Sequence, residues 1–223
     1  SPHRGVLLLG LPHSAPAEAI RSLRTSVQFV GLDRALRRIQ VTSAAGDEGA
    51  TAIAANLAVA FAGAGMRVVV VDADLRTPKL HEYFGVDGNV GFTSVLVGQA
   101  DVDSVLQPVA MQGWLRVLAA GPRPTNPSEI LASGHLGRLL SSLDERCDLV
   151  IVDSPPVLPY TDASVTSNFV DATVLVASGA DSKLSEVNHA LRTLRIVGVR
   201  VAGLVISHLE PQQRRADLEA ARS

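Results

Sequence analysis

RRIQVTSAAGDEGATAIAANLAVAFAGAGMRVVVVDAD, residues 37–74, holds the pattern on which the fold turns. RRIQVTS (37–43) is a short apolar run, ATAIAANLAVAFAGAG (50–65) is a small-residue stretch of helical length, and RVVVVDAD (67–74) is a second apolar run. A strand, a helix and a strand follow, and the connection has the length that a right-handed crossover between parallel strands needs. The alternation continues outward. Further strands are expected at LRVLAAG (115–121), DLVIVDS (148–154), ATVLVAS (172–178) and VAGLVIS (201–207), with helices near 127–145, 161–169 and 183–197. These strands read as unbroken Val, Ile and Leu rather than alternating with polar residues, so both of their faces are expected to be covered. The fold class is therefore α/β, a doubly wound, mostly parallel sheet with helices on both faces.

Upstream, Ala19, Leu23, Val27 and Val30 recur near helical spacing with Glu18, Arg21 and Arg24 on another side, which predicts a peripheral helix over 15–30. Between 85 and 113 the glycines Gly85, Gly88, Gly91 and Gly98 break any period, so a loop with one short helix at 93–97 is expected. The 223 residues fit one domain, with an N-terminal helix region at 11–36, an α/β core at 37–207 and a polar tail at 208–223.

Apolar residues make up 47% of the chain and aromatics only 4%, so the core must be built from Ala, Val, Leu and Ile. A net charge of -2 and a pI near 6.3 leave no general basic face, which argues against nucleic acid or anionic membrane as a partner. The single Cys147 forms no internal disulfide and, placed before a strand, reads as a small buried apolar residue of a reducing compartment. No apolar run approaches the ~18 residues of a membrane-crossing helix. The chain opens Ser1-Pro2-His3-Arg4 without Met, so any membrane span is expected outside a soluble segment.

In open parallel sheets, ligands bind at the carboxyl ends of the strands. The first strand end runs Thr42 to Thr51 and has the position and length of a G-x-x-x-x-G-K-[ST] phosphate loop, with Ala44 as the opening small residue, Gly49 in place and Thr51 as the hydroxyl. Small residues let backbone N–H groups reach phosphate oxygens, and the following helix offers its positive end. The second and third strand ends carry Asp72-Ala73-Asp74 and Asp153-Ser154-Pro155-Pro156. A carboxylate directly after a buried parallel strand, beside such a loop, is where nucleotide-bound Mg²⁺ is usually held.

These motifs together resemble the bacterial tyrosine kinases (BY-kinases) of polysaccharide export, a P-loop NTPase type of domain, over about residues 11–210. The resemblance rests on the E-x-x-R-x-x-R helix (Glu18, Arg21, Arg24), the degenerate phosphate loop, AANLA (54–58), D-A-D-L-R (72–76), G-P-x-P-x-N-P-S-E-I-L (121–131) and D-S-P-P (153–156). It implies ATP or ADP with Mg²⁺, bound by the main chain of Gly46, Asp47, Glu48, Gly49, Ala50, Thr51 and Ala52, with Thr51, Asp72 and Asp153 near the metal. It implies that Asp72 and Asp74 position or activate an acceptor tyrosine hydroxyl, and that Asp153 completes the catalytic set. It further implies a ring-like homo-oligomer built through Glu18, Arg21 and Arg24, and protein tyrosines as substrate. A membrane-spanning polysaccharide co-polymerase segment or protein is the implied partner, placing the domain in the cytoplasm at the inner face of the membrane.

Three departures qualify the resemblance. Ala50 stands where the family has its phosphate-loop lysine, and the two lysines of the chain, Lys79 and Lys183, are expected elsewhere. Arg76 either reaches the phosphates or pairs with Asp72 or Asp74. The tail has no tyrosine, since Tyr83 and Tyr160 are internal. Ser207 occupies the place of an adenine-facing asparagine and can hydrogen-bond less of a base edge. An inactive or attenuated kinase is expected, or else a nucleotide-sensing pseudokinase scaffold; a partition-type ATPase is the least favoured reading. His3, His13, His81, His135, His189 and His208 show no metal-ligand spacing.

Overall fold

Strands β1 (Arg38–Ser43), β2 (Val68–Asp72), β3 (Gln107–Pro108), β4 (Leu115–Leu118), β5 (Leu149–Asp153), β6 (Ala172–Ser178) and β7 (Val201–Ser207) join in one sheet of order β3-β4-β2-β5-β1-β6-β7. This computed structural model describes residues 6–32, 35–46, 48–109 and 113–208. Every pairing is parallel except that of β3 with β4, which is antiparallel. The sheet is the one that the Val-rich runs predict, with helices on both faces.

Period two along β2 shows how those runs are used. Val68 and Val70 pack with Ile151 against Leu57 and Phe61 of helix α3 (Ala50–Gly63). Val69 and Val71 face the other way, with Val150 and Val152, onto Leu136, Leu139, Leu140 and Leu143 of helix α8 (His135–Asp144). Apart from Asn56, the helix α3 is apolar on every side from Ala54 to Ala62 and buried throughout that stretch, as a helix enclosed on several sides must be. Its outer side is covered by α2 (Ala15–Val30), which begins at Ser14, whose hydroxyl accepts the Ala17 N–H at 3.3 Å. Helix α10 (Leu184–Ile196) covers β6 through Val187, Ala190 and Leu194.

The short helix expected at 93–97 is α5 (Phe92–Leu96), while several other short elements escape the periodicity argument: α1 (Leu7–Gly10), α4 (Leu80–Phe84), α6 (Val102–Val105) and the edge strand β3. Each is a turn or so long, too short to repeat a pattern. What was expected as one helix at 127–145 is two, α7 (Pro127–Ala132) and α8, because Ser133 is extended and turns its hydroxyl back onto the Ile130 carbonyl at 2.6 Å. Helix α9 (Asp162–Ser167) follows the third strand end. Cys147 is buried, and burial pushes its thiol up to about 11, in keeping with an inert core residue. Among the described residues no helix is long and apolar enough to cross a membrane.

Candidate functional site

The order β2-β5-β1 brings three carboxyl strand ends side by side. Val41 of β1 and Asp72 of β2 are both register partners of Asp153 on β5. The loop leaving β1 is held by its own polar groups: the Ser43 hydroxyl donates to the Gly46 carbonyl at 2.8 Å, and the Glu48 N–H donates to the same oxygen at 2.9 Å. Gly49 closes the loop with φ +88°, the left-handed region that glycine enters without a Cβ penalty. Helix α3 starts at the next residue, so its unpaired first-turn N–H groups open onto this corner.

A cavity of about 270 Å³ lies there, lined by Ser43, Ala45, Gly46, Ala50 and Thr51 from the loop and the start of α3 and by Asp74, Arg76, Thr77 and Lys79 from the segment after β2. Ser154, Pro156, Pro159 and Tyr160 complete it. Of the residues singled out in the sequence, Gly46, Ala50, Thr51 and Asp74 line it, while Asp72 and Asp153 are buried at the adjoining strand ends. Glu48 does not point in: its carboxylate accepts the Ala45 N–H at 3.0 Å and the Ser182 hydroxyl. Ala52 and Gly49 contribute loop and helix backbone outside the lining, and Asp47 lies outside the described residues. Ser207 is likewise not in the lining; its hydroxyl donates to the Glu48 carbonyl at 2.5 Å, tying β7 to the back of the loop.

The carboxylates divide by what they bond. Asp74 is engaged on both oxygens, accepting the N–H groups of Arg76 (3.0 Å) and Thr77 (2.9 Å) and the Thr77 hydroxyl (2.8 Å). Asp72 accepts the Leu80 N–H on Oδ2 at 3.0 Å, and its Oδ1 has no hydrogen-bond partner among the described residues. Both oxygens of Asp153 are buried without a bonded donor among the described residues; Thr51 lies near enough to lower its pKa but makes no bond of normal geometry. Burial raises Asp72 to about 7. Burial, then the charge of Asp72, raises Asp153 well above the usual carboxylate range. Buried carboxylate oxygens that lack donors fit a cation that would replace the missing partners. Among the described residues no three acidic, His or Cys side chains form a complete cage. That suits Mg²⁺, which keeps waters and phosphate oxygens and takes only one or two protein carboxylates.

The guanidinium of Arg76 pairs with neither Asp72 nor Asp74. It bonds Asp162 through Nε (2.8 Å) and Nη2 (3.1 Å), reaches Ser128 at 3.2 Å, and stacks 3.8 Å from the ring centre of Tyr160. The expectation that both lysines lie elsewhere holds for Lys183, which sits at the head of α10 near Glu186 at 3.6 Å. It fails for Lys79, which lines the same cavity as Ala50. Position alone marked Lys79, since it lies on the loop that leaves a binding strand end. On α2, Glu18 and Arg21 pair at 2.8 Å, Arg21 also donates to the Pro12 carbonyl at 2.6 Å, and Arg24 donates to the Ala60 carbonyl at 3.3 Å; none of the three lines the cavity.

A family model described as ParA, NUBPL iron-transfer P-loop NTPase, matches residues 35–212. The chain is 35% identical to the tyrosine-protein kinase YwqD of Bacillus subtilis over 92% of its own length and 86% of that protein. It is 33% identical to the tyrosine-protein kinase wzc of Salmonella typhi over 92% of its length but spans only 28% of that relative. The solved kinase domain of the Escherichia coli tyrosine kinase ETK superposes with a TM-score of 0.89 at 31% identity, covering 94% of this chain and 82% of that one. Phosphate loop, paired strand-end aspartates and these likenesses agree, and the chain belongs to the bacterial tyrosine kinase family of P-loop NTPases.

Proposed function

We propose that this chain is the ATP- and Mg²⁺-binding domain of a protein-tyrosine autokinase that regulates exopolysaccharide or capsule synthesis and export, attenuated by the alanine at position 50. The observation that carries this reading is Asp153, buried with both oxygens lacking donors, beside Asp72 and Thr51 at the mouth of α3. Thr51, Asp153 and the free oxygen of Asp72 would hold Mg²⁺, which neutralises charge on the phosphates when bound. The first-turn N–H groups of α3 and the loop from Gly46 face the phosphates. Asp74, fixed by Arg76 and Thr77 on the cavity wall, orients an acceptor hydroxyl. Asp72, raised to about 7 by burial, is suited to accept its proton near neutral pH.

Ala50 brings a methyl group where an ammonium would meet the transferring phosphate. Removing such a contact costs on the order of 3 kcal/mol of transition-state stabilisation, or a hundredfold and more in rate. The same alanine favours a second reading, a pseudokinase scaffold that couples nucleotide occupancy to assembly of an export complex. In both readings the chain self-associates through α2, works at the inner face of the membrane beside a membrane-spanning co-polymerase segment, and needs no nucleic acid. Tyrosines of neighbouring proteins or subunits are the substrate of the first.

Titration calorimetry with ADP and Mg²⁺, followed by transfer to a supplied tyrosine peptide, tests the assignment. Measurable binding with slow, Mg²⁺-dependent transfer supports the attenuated kinase. Binding with no transfer supports the scaffold, and a folded protein that binds no nucleotide at millimolar concentration refutes both.

A further inference from the structure

We infer that the side chain of Glu48 is the positioning group of the phosphate loop: it holds the Ala45–Gly46 turn in a phosphate-receiving shape and ties that turn to the carboxyl ends of β6 and β7. The inference deepens the nucleotide-binding reading and rests on it. Glu48 is only 5% exposed. A buried carboxylate is unfavourable unless donors replace its water, and a negative charge beside incoming phosphates adds repulsion. Its bonds show what the side chain does there.

Each carboxylate oxygen is engaged by a different element. Oε2 accepts the Ala45 N–H at 3.0 Å, within the loop itself. Oε1 accepts the hydroxyl of Ser182, 134 residues away in the turn between β6 and α10, and that hydroxyl oxygen in turn accepts the N–H of Ser178, the last residue of β6, at 2.7 Å. The main-chain carbonyl of Glu48 accepts the hydroxyl of Ser207, the last residue of β7, at 2.5 Å. One residue therefore joins the loop after β1 to the next two strand ends in the order β1-β6-β7. Ala45 and Gly46 line the cavity and Glu48 does not, so the carboxylate acts from outside the lining on the turn that forms it. Ala44, Ala45, Gly46, Gly49 and Ala50 have no side chain that can hold a turn, and the Ser43 hydroxyl fixes only the Gly46 carbonyl. A loop of such small residues loses much backbone freedom when a ligand orders it, and a loop fixed in advance spares binding that loss.

The test is calorimetry of the whole chain with MgADP, and with Mg-tripolyphosphate as a probe that has phosphates but no base. Glu48→Ala, which strips the Ala45 N–H and the Ser182 hydroxyl of their acceptor, should weaken both ligands by about tenfold or more. Glu48→Gln should restore most of that affinity, because its amide oxygen can accept the Ala45 N–H while its NH₂ donates to the Ser182 oxygen. Amide exchange at Ala45 in the nucleotide-free proteins reads the loop directly, and it should be slow in the parent and in Glu48→Gln but fast in Glu48→Ala. A folded Glu48→Ala protein that binds both ligands within twofold of the parent overturns the inference, as does a Glu48→Gln protein that loses as much affinity as Glu48→Ala. Where Glu48→Ala does not fold by circular dichroism, Ser182→Ala, which removes one of the two donors and leaves the carboxylate in place, is read instead, and an affinity equal to the parent's overturns the inference. A parent whose Ala45 amide is protected but which binds neither ligand overturns the underlying nucleotide-binding reading.

Discussion

Asp72 and Asp153 are register partners on adjacent parallel strands, and between them they leave three buried carboxylate oxygens without a hydrogen-bond donor among the described residues. Burial raises both in the folded chain, Asp72 to about 7 and Asp153 well above the ordinary carboxylate value. A carboxyl whose folded pKa exceeds its unfolded one stabilises fully below the unfolded value, near ~4, and loses that contribution as pH rises through the folded value. The nucleotide-free protein should therefore melt at a temperature several degrees lower at pH 8 than at pH 5. Asp153→Asn, which removes one charge of the pair, should raise the midpoint at pH 8 and flatten the profile. Scanning fluorimetry across pH 5–8 measures both, and a midpoint that rises toward pH 8 in the parent would falsify the account of the pair.

Gly91 explains a different part of the chain. It has an extended backbone, yet a Cβ added there would sit 2.0 Å from the Ala119 carbonyl oxygen and 2.7 Å from its carbon. The Phe92 N–H donates to that same oxygen at 2.7 Å, so the close approach is what docks α5 onto the end of β4. Gly91→Ala should cost about 3 kcal/mol, because backbone rather than a flexible side chain would have to move. Urea unfolding should show a lower midpoint at unchanged slope. An unchanged midpoint would mean that α5 re-docks freely.

Much of this arrangement was legible beforehand, and the reason is the sheet. Val68 to Val71 and Leu149 to Val152 are apolar on both faces, which only a covered parallel strand requires, and Asp72 and Asp153 end those runs where ligands bind. Beyond its short helix near 93–97, the segment 85–113 was illegible because its elements are a single turn or a two-residue strand, fixed by tertiary pairing such as Gln107 opposite Val117. The partner of Arg76 was illegible for a related reason. Asp162 lies 86 residues away and meets it only because β5 and β2 are neighbours. Spacing does not place Lys79 in the cavity lining either, because it gives no view of which loops meet around a cavity.

Self-association should depend on α2. Arg21 is held at 2.8 Å by Glu18, which is itself 70% exposed, so the pair contributes at most about 1 kcal/mol to the isolated fold. Further along, Phe29 and Leu32 are exposed at 66% and 75%. Arg21→Glu should leave the melting midpoint within a few degrees of the parent but shift sedimentation velocity at high concentration with MgADP toward the monomer. An identical sedimentation profile, or a parent that is monomeric under those conditions, removes α2 as an assembly element.

Ala50→Lys tests whether the remainder of the site is a working kinase site. The residue opens α3, where the first-turn N–H groups are unpaired, and its methyl lines the cavity together with Thr51. A lysine there brings an ammonium to the phosphates from the loop side, while Asp72, Asp74 and Asp153 already stand at the opposite strand ends. The rate should gain more than the affinity, because the contact that alanine lacks is strongest once charge has developed on the transferring phosphate. A tyrosine peptide serves as acceptor, or hydrolysis of ATP as the readout, and transfer should rise a hundredfold or more over the parent. The double variant Ala50→Lys with Asp72→Asn is the control, since it keeps the new cation and removes the proposed proton acceptor. A single variant that binds ATP more tightly yet transfers no faster than this control would remove the attenuated kinase and leave the scaffold reading in its place.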